Sequence, residues 1–170
     1  TSKAGVRGVL GETVIDFPVA DNKTFAEALA YVEKFVSRWK GDPLIVAAIA
    51  PHAPYTVSEE HLKAARSFSD RTGAPIVTHI SETKRELDDS VKDKKASPVA
   101  YLDRIGFLNE RVIAAHMVWP EGNDINVLKQ RGVGVVHNPQ SNMKLASGVA
   151  PVPKMMEAGV LVGLGTDGAA

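Results

Sequence analysis

The sequence has no cysteine among its 170 residues, and this absence excludes two classes of site. Disulfide bonds cannot form, and a zinc site cannot be built from thiolates. Histidine and carboxylate side chains therefore remain as the plausible metal ligands. A chain without cysteine is also compatible with a reducing compartment, and we expect a cytoplasmic protein.

An excess of charge and a long apolar run are also missing. Lys and Arg number 20, Asp and Glu also number 20, and the formal net charge is zero. This balance gives no electrostatic argument for a nucleic-acid partner or an anionic membrane surface. No apolar run approaches the roughly 20 residues that span a bilayer. We therefore expect a globular domain with neither nucleic acid nor membrane among its partners.

Strand and helix patterns alternate along the chain. Short apolar runs are typical of strands that are buried on both faces of a parallel sheet. Six such strands are predicted, at Val6–Leu10, Leu44–Ala50, Pro75–His79, Val112–Ala115, Val133–Val136 and Val160–Gly165. Helices are predicted at Thr24–Trp39, Ser58–Gly73, Glu82–Lys95 (a charged helix plus a loop), Ser97–Ile105, Asn123–Arg131 and Val152–Ala158, and polar loops at Glu12–Asn22 and Asn138–Gly148.

This alternation predicts an α/β protein with a parallel sheet and right-handed crossovers. An open doubly wound sheet and a (β/α)₈ TIM barrel both fit the pattern. A complete eight-unit barrel is typically about 250 residues long, and six of eight units scale to roughly the present length. We therefore predict that residues 1–170 form one domain, which is part of a barrel.

The predicted strands end on residues that bind metals or move protons. The five residues concerned are His52, His79, His116, His137 and Asp167. In a parallel α/β barrel the carboxyl ends of the strands converge on one mouth, where the active site lies. Five such residues at five strand ends together favour a metal-dependent hydrolytic site over separate structural roles.

Each candidate has a chemical interpretation and a structural alternative. His79 can present a ring nitrogen to a metal, and Glu82 can shuttle a proton between a water molecule and a substrate nitrogen. Alternatively, the pair is a buried histidine and a capping glutamate. His116 is a metal ligand or a group that polarises the nucleophile, unless it is a satisfied core histidine. Asp167 is a metal ligand and proton acceptor, unless it caps a helix or a turn.

Two further histidines are candidates for substrate contacts. His52 lies between Pro51 and Pro54 on a stiff loop, which can hold the imidazole as a hydrogen-bond donor. His137 and the adjacent Asn138 open a polar loop that can form a substrate wall, although a structural role is equally open. His61 lies inside a predicted helix, and we expect it to be structural.

Six segments carry a family resemblance that covers nearly the whole chain. They are PHAPYTVS at Pro51–Ser58, HISE at His79–Glu82, AAHM at Ala114–Met117, HNPQSNMKL at His137–Leu145, ASGVAPV at Ala146–Val152 and GLGTDGAA at Gly163–Ala170. Together they resemble the amidohydrolase superfamily, and most closely its methylthioadenosine/S-adenosylhomocysteine deaminase and chlorohydrolase branch. The resemblance implies a (β/α)₈ barrel, here about strands 3–8, with one divalent metal per subunit. Zinc is the usual metal, and Fe²⁺ or Mn²⁺ stays open because histidine and carboxylate accept all three.

The resemblance also implies roles for individual residues. His79 and Asp167 would be metal ligands, His116 would lie at the metal and its water, and Glu82 would shuttle protons and contact the purine. His52, with His137 and Asn138, would contact the substrate. The implied reaction is the attack of a metal-activated water on C6 of an adenine ring, with release of ammonia, in a homo-oligomeric enzyme. An s-triazine or other N-heterocycle hydrolase, and a catalytically incomplete fragment, remain as alternatives.

One departure from the family pattern concerns the metal ligands. The resemblance implies a His-x-His pair on the first barrel strand, and this sequence contains no such pair. On this mapping the first two strands are absent as well. We therefore expect the chain to be an internal fragment of a longer enzyme, and we expect the isolated fragment to be inactive.

Overall fold

A computed structural model describes residues 1–168 of the chain. Ala169 and Ala170, the end of the Gly163–Ala170 segment, lie outside the described residues. The chain divides into two compact units, residues 1–77 and the residues from Thr78 onward. Of the helices within residues 1–168, none has the length and apolar character that crossing a membrane requires.

The first unit begins with a single 3₁₀ turn and continues as alternating strands and helices. Its elements are the turn Ser2–Ala4, β1 (Gly8–Val14), α1 (Phe25–Trp39), β2 (Ile45–Pro51), α2 (Glu59–Thr72) and the start of β3 (Ile76–Ile80). The strands β1 and β2 are parallel, and β2 pairs in parallel with β3 at Ile49 and Ile76. The core of this unit contains Val14, Val32, Ile49, Leu62 and Phe68.

Local capping chemistry sets the ends of both helices in this unit. The side chain of Thr24 accepts a hydrogen bond from the backbone N–H of Glu27, and the Glu27 carboxylate accepts one from the backbone N–H of Thr24. This capping box starts α1 as predicted. Ser58 caps α2, and Gly73, at φ 75°, ends it in the left-handed conformation that glycine adopts without strain.

The first strand differs from its prediction. We expected a strand at Val6–Leu10 and a loop from Glu12, but β1 runs from Gly8 to Val14. The polar Glu12 belongs to the strand because seven consecutive residues of β1 pair with β2. Gly11 permits the close approach, since a Cβ atom there would lie 2.8 Å from the Cβ of Ala50.

The second unit contains the remaining strands and helices. Its elements are the end of β3, α3 (Lys84–Lys94), α4 (Pro98–Arg104), β4 (Val112–His116), α5 (Asp124–Arg131), β5 (Gly134–His137), α6 (Pro139–Lys144), α7 (Val152–Glu157) and β6 (Val162–Leu164). The strands β4, β5 and β6 pair in parallel in this order. Ile80, Leu102, Phe107, Met117 and Leu128 are among its core residues.

The predicted polar loop at Asn138–Gly148 is wrong, because it contains the helix α6. Pro139 occupies the first turn, where a missing backbone N–H costs nothing. The backbone N–H of Asn142 donates to the carbonyl oxygen of Asn138 at 2.9 Å. The polar side chains of this segment do not indicate an exposed loop. Two of them, Ser141 and Asn142, are buried and form hydrogen bonds within the protein.

Candidate metal centre

The three predicted metal ligands meet in the second unit. His79 lies in β3, His116 is the last residue of β4, and Asp167 follows β6. Each offers one ligand atom, and these three atoms lie within 4.8 Å of one another. The convergence of residues from separate strand ends is the arrangement that the sequence predicted.

The distances in this cluster leave a gap between the ligand atoms. His79 Nε2 is 3.9 Å from Asp167 Oδ1, and His116 Nε2 is 3.7 Å from Asp167 Oδ2. Ligand atoms around a tetrahedral zinc with bonds of 2.0–2.1 Å lie roughly 3.3 Å apart. The atoms are therefore too far apart for direct hydrogen bonds, and the set, with all three atoms within 4.8 Å of one another, is wider than the spacing around a bound zinc.

The backbone is strained at these strand ends. The φ angles of Ser81, His116, Met117 and Asp167 are 53°, 77°, 47° and 65°, in the left-handed region. Such conformations cost about 1–3 kcal/mol each outside glycine, and they cluster at functional sites because surrounding contacts enforce them. Here the backbone N–H of Met117 donates to Ile80 O at 3.1 Å, which ties the end of β4 to the end of β3.

His116 is fully buried, and its two ring nitrogens have different surroundings. Nδ1 lies 2.9 Å from Oδ1 of Asn142, whereas Nε2 has no hydrogen-bond partner among residues 1–168. An Nδ1–H that donates to Asn142 leaves a lone pair on Nε2. That lone pair faces Oε2 of Glu82 at 3.8 Å and Oδ2 of Asp167 at 3.7 Å.

Nε2 of His116 thus lies near two carboxylate oxygens, Oε2 of Glu82 and Oδ2 of Asp167, and the latter also accepts a hydrogen bond from Ser141 Oγ. Converging lone pairs repel one another unless a cation or a proton lies between them. Neutral imidazole and carboxylate are the donor set that zinc and similar divalent ions take in proteins. The buried, unpartnered Nε2 of His116 therefore fits a metal ligand better than a satisfied core histidine.

Asp167 is held in its ionised form. Partial burial by itself raises the pKa of this carboxyl, but a 2.7 Å hydrogen bond from Ser141 Oγ and the nearby His116 and His79 outweigh it, so that the pKa lies below its usual value. A carboxylate must be deprotonated to bind a metal, and Asp167 meets this condition at neutral pH.

Glu82 lies beside the cluster on the loop that follows β3. Its side chain is partly buried, and its backbone N–H donates to Oε2 of Glu86 at 2.7 Å. The distance of 3.8 Å to His116 Nε2 puts its carboxylate next to the same space. This position is compatible with the predicted proton shuttle, which remains a prediction.

The substrate-contact candidates lie outside this three-residue cluster. His137 ends β5, and Oδ1 of the buried Asn138 packs so closely against Gly165 that a Cβ atom there would lie 2.4 Å from it. In the first unit, Nδ1 of His52 lies 2.9 Å from Oγ1 of Thr56. The predicted substrate contacts of His52, His137 and Asn138 remain predictions.

His61 has the surroundings that a structural role requires. Its ring stacks on Phe25 with centroids 3.8 Å apart, and its Nδ1 lies 2.7 Å from Oδ1 of Asp16. The second carboxylate oxygen of Asp16 accepts a hydrogen bond from the backbone N–H of Ser58 at 2.7 Å. His61 therefore helps to join the end of the β1 segment to the start of α2.

Sequence reasoning missed three residues that touch the candidate site. Ser141 and Asn142 of α6 contact Asp167 and His116, and Glu86 accepts hydrogen bonds from the backbone N–H groups of Ser81 and Glu82. Burial raises the pKa of Glu86, although those hydrogen bonds oppose the shift. The spacing of Thr83 and Glu86 at a helix start was the available signal for Glu86, whereas Ser141 and Asn142 were hidden by the loop prediction.

An open depression lies next to the cluster. It has a volume of about 500 Å³ and is lined by Gln140, Ser141, Met143, Lys144, Thr166 and Gly168. Ser141 is the residue that bonds to Asp167, so the depression adjoins the cluster of His79, His116 and Asp167.

Comparison with known proteins gives a consistent result for the family. The model of the amidohydrolase family matches residues 1–170. The 5-methylthioadenosine/S-adenosylhomocysteine deaminase of Thermodesulfovibrio yellowstonii is 45% identical over 168 residues, which cover 99% of this chain and 38% of that protein. The 5'-deoxyadenosine deaminase of Methanothrix thermoacetophila is 47% identical over 169 residues, with 99% and 39% covered. The chain thus spans less than two-fifths of the length of these relatives.

Solved structures show the same fold. A zinc-bound adenosine deaminase from Xanthomonas campestris is 41% identical with a TM-score of 0.95, and the match covers 99% of this chain and 38% of that one. A zinc complex of an atrazine chlorohydrolase from Arthrobacter aurescens has a TM-score of 0.87 at 19% identity, with 99% and 39% covered, which shows the fold alone. The predicted partial (β/α) barrel is confirmed, and the open doubly wound sheet is not.

Proposed function

The chain belongs to the amidohydrolase family, and from this premise we propose that the whole protein is a metal-dependent deaminase of adenosine-type nucleosides. The observation that carries the proposal is the convergence of His79, His116 and Asp167, with an unpartnered Nε2 on a fully buried histidine. The zinc bound to the similar adenosine deaminase supports zinc as the metal. Residues 1–170 would contribute one part of a single barrel domain.

The reaction that we propose replaces the 6-amino group of adenine by oxygen. When bound to His79, His116 and Asp167, the metal would supply a water molecule whose pKa is lowered to about 7. Glu82 would carry a proton from the attacking water to N1 of the ring while the C6–O bond forms. Asp167 then carries the remaining hydroxyl proton to the amino group, the C6–N bond breaks, and ammonia leaves. The product is the 6-oxo purine nucleoside.

The proposed substrates share a 5'-deoxyadenosine scaffold. Methylthioadenosine, S-adenosylhomocysteine and 5'-deoxyadenosine, which appear in the names of the relatives, all lack the 5'-hydroxyl group. They differ only in what the 5' carbon carries, while the reacting adenine is the same. We therefore propose that the enzyme accepts 5'-modified adenosines, with His52, His137 and Asn138 among the groups that contact them.

The triazine alternative has less support. The chlorohydrolase is related to this chain at an identity that carries no information about the substrate, whereas the deaminases are more than twice as similar in sequence. The catalytically incomplete alternative is weakened by the intact cluster of His79, His116 and Asp167. A cytoplasmic location and a homo-oligomeric assembly complete the proposal.

The test is a substrate panel on the full-length protein with its metal content measured in the same sample. We expect ammonia release and a shift in purine absorbance with 5'-deoxyadenosine, methylthioadenosine and S-adenosylhomocysteine, and loss of both after treatment with a chelator. Chloride release from a chlorotriazine without purine turnover would support the alternative instead. Metal-loaded protein that turns over no purine would refute the deaminase proposal.

A further inference from the structure

We propose that Glu86, a buried glutamate in the first turn of α3, is a positioning residue that fixes the backbone of Ser81 and Glu82 and so places the Glu82 carboxylate beside His116. The proposal rests on the proposed deaminase function for the role of Glu82 as proton carrier. It does not depend on which residues bind the metal. All the contacts that support it lie within the second unit.

Both carboxylate oxygens of Glu86 accept hydrogen bonds from successive backbone N–H groups. Oε1 accepts from Ser81 at 2.9 Å, and Oε2 accepts from Glu82 at 2.7 Å. Ser81 has a φ angle of 53°, and a left-handed residue in a turn directs successive N–H groups to the same side, where they bind an anion. Because Glu86 is only 7% exposed, water has little access to these hydrogen bonds.

The contact goes beyond ordinary helix capping. In α1 the exposed Glu27 accepts hydrogen bonds from the backbone N–H groups of Thr24, the N-cap, and of the residue before it. In α3 the N-cap is Thr83, but Glu86 accepts from the two residues that precede the N-cap. Capping alone therefore does not account for a buried glutamate that reaches back to the end of β3.

The turn at Ser81 is also held from its carbonyl side. Ser81 O accepts hydrogen bonds from the backbone N–H groups of Val118 and Trp119, both at 2.9 Å, just after the end of β4. A left-handed residue other than glycine persists only where its surroundings enforce that conformation. Glu86 on the N–H side and the residues after β4 on the carbonyl side are the contacts that enforce it here.

The position of this turn determines where the Glu82 carboxylate lies. The side chain of Glu82 is 16% exposed, and its Oε2 is 3.8 Å from Nε2 of His116. A proton carrier must reach both the attacking water and the ring nitrogen, and a displacement of about 1 Å can cost roughly 100-fold in rate. Since the N–H of Glu82 is one of the two groups that Glu86 binds, the placement of this side chain depends on Glu86.

The experiment compares Glu86→Gln with the parent in the full-length protein. Glutamine keeps the shape of the side chain, but its NH₂ group replaces one acceptor oxygen and faces a backbone N–H. We expect loss of hydrogen-exchange protection at the amides of Ser81 and Glu82, and a fall in kcat for a 5'-modified adenosine of about 10–100-fold. The metal content should equal that of the parent.

A double-variant cycle shows whether Glu86 acts through Glu82. In a Glu82→Gln background no proton carrier remains to be misplaced, so adding Glu86→Gln should change kcat by no more than a few-fold. A purely structural role would instead lower kcat by the same factor in both backgrounds.

Two control variants separate this role from helix stability. Asp124 is also a buried carboxylate at a helix start, but its hydrogen bonds come from Glu121 and Ser97. Thr83→Ala weakens the start of α3 by removing the hydroxyl bonded to the N–H of Glu86, and it leaves the Glu86 carboxylate in place. Asp124→Asn and Thr83→Ala should therefore both keep kcat within a few-fold of the parent.

Three results would overturn the inference. Unchanged exchange and kcat in folded Glu86→Gln would show that the turn needs no such restraint, and an equal loss of kcat in Thr83→Ala would show that helix stability is what matters. If Glu86→Gln does not fold, the parent alone decides, because unprotected Ser81 and Glu82 amides would refute the contact. If exchange changes as expected but the parent turns over no purine, the deaminase proposal fails and the backbone role of Glu86 stands.

Discussion

Histidine and aspartate meet in both units of this chain, but with different geometry. In the first unit His61 and Asp16 are in direct contact at 2.7 Å, and Asp16 also accepts a hydrogen bond from Ser58. In the second unit His79 and His116 stand 3.9 and 3.7 Å from Asp167, and Nε2 of His116 has no hydrogen-bond partner among the described residues. The first pair is satisfied by its own members, whereas the second leaves a space that suits a cation.

This comparison separates residue type from function. The same two residue types, histidine and aspartate, contact the start of α2 in the first unit and form a candidate metal centre in the second. What differs is the distance between the two groups: His61 is in hydrogen-bond contact with Asp16, whereas the ring nitrogens of His79 and His116 lie 3.9 and 3.7 Å from Asp167. Variants that exchange or remove these contacts should therefore have different consequences in the two units.

The largest expected effect comes from Asp167→Asn. An amide cannot supply the anionic oxygen, so zinc affinity should fall well beyond the roughly 10–100-fold that is typical of losing an outer partner. Activity should fall with it. The measurements are the zinc content of the purified full-length protein and ammonia release, and Asp16→Asn is the matched control because it makes the same change at the satisfied pair. Stoichiometric zinc in Asp167→Asn would contradict the assignment.

The next effect concerns Glu82→Gln, which keeps the shape of the side chain but cannot carry a proton. We expect kcat to fall by about 10²–10⁴-fold, the range for a lost general acid–base group. Zinc content should not change, because Glu82 is not one of the three ligands. A variant that loses its zinc, or that keeps full activity, would show that the proton-shuttle role is wrong.

Glu86→Ala is expected to act on stability and on the loop that carries Glu82. It would leave the buried backbone N–H groups of Ser81 and Glu82 without their acceptor, at a cost of about 1–3 kcal/mol in the free energy of unfolding. Urea denaturation of the full-length protein would measure it. A free energy of unfolding equal to that of the parent would show that other groups satisfy these amides.

The pH dependence offers a sharper test of Glu86. Because burial raises its pKa in the folded protein, the folded state holds this proton more tightly than the unfolded state does. The contribution of Glu86 to the free energy of unfolding is therefore greatest at acid pH, and it declines as the pH rises from about 4.3 through the raised pKa. Glu86→Gln should remove this decline, and an identical slope in parent and variant would contradict it.

The smallest effect is expected in the first unit. Asp16→Asn should lower the free energy of unfolding by about 1 kcal/mol, as for other helix-start contacts, without affecting zinc. The pKa of Asp16 is lowered, since the hydrogen bonds from His61 and Ser58 outweigh the opposite effect of its partial burial. The contribution of Asp16 to the free energy of unfolding is thus present above about pH 4, and it is lost as the pH falls below that value. A loss of zinc in this variant would erase the distinction between the two pairs.

Much of the fold could be predicted because the relevant chemistry is local. Helix ends depend on capping residues at or next to them in sequence. The structure confirms the predicted caps, which are Thr24 with Glu27 for α1, Ser58 and Gly73 for the two ends of α2, and Ser97 before Pro98 for α4. The extension of β1 to Val14 and the helix α6 could not be predicted in this way. The first depends on backbone pairing with β2, and the second on buried partners far along the chain.

The candidate site shows the same limit. His79, His116 and Asp167 were predicted because each is at or next to the end of an apolar run, and parallel strand ends converge. Ser141 and Asn142 carry no such signal, since their importance lies in contacts with residues 26 positions away. Periodicity and spacing describe neighbours along the chain, and neither describes which distant side chains meet.

The amino-acid sequence by itself determined the alternation of strands and helices, the restriction of candidate metal ligands to histidine and carboxylate, and the choice of His79, His116 and Asp167 as those candidates. The tertiary structure alone decided that Nε2 of His116 faces Glu82 and Asp167, and that Asn142 and Ser141 contact His116 and Asp167. The reason is physical. Ligand type is a property of a single side chain, whereas a cluster of such side chains exists only when several backbone segments bring them within a few ångströms.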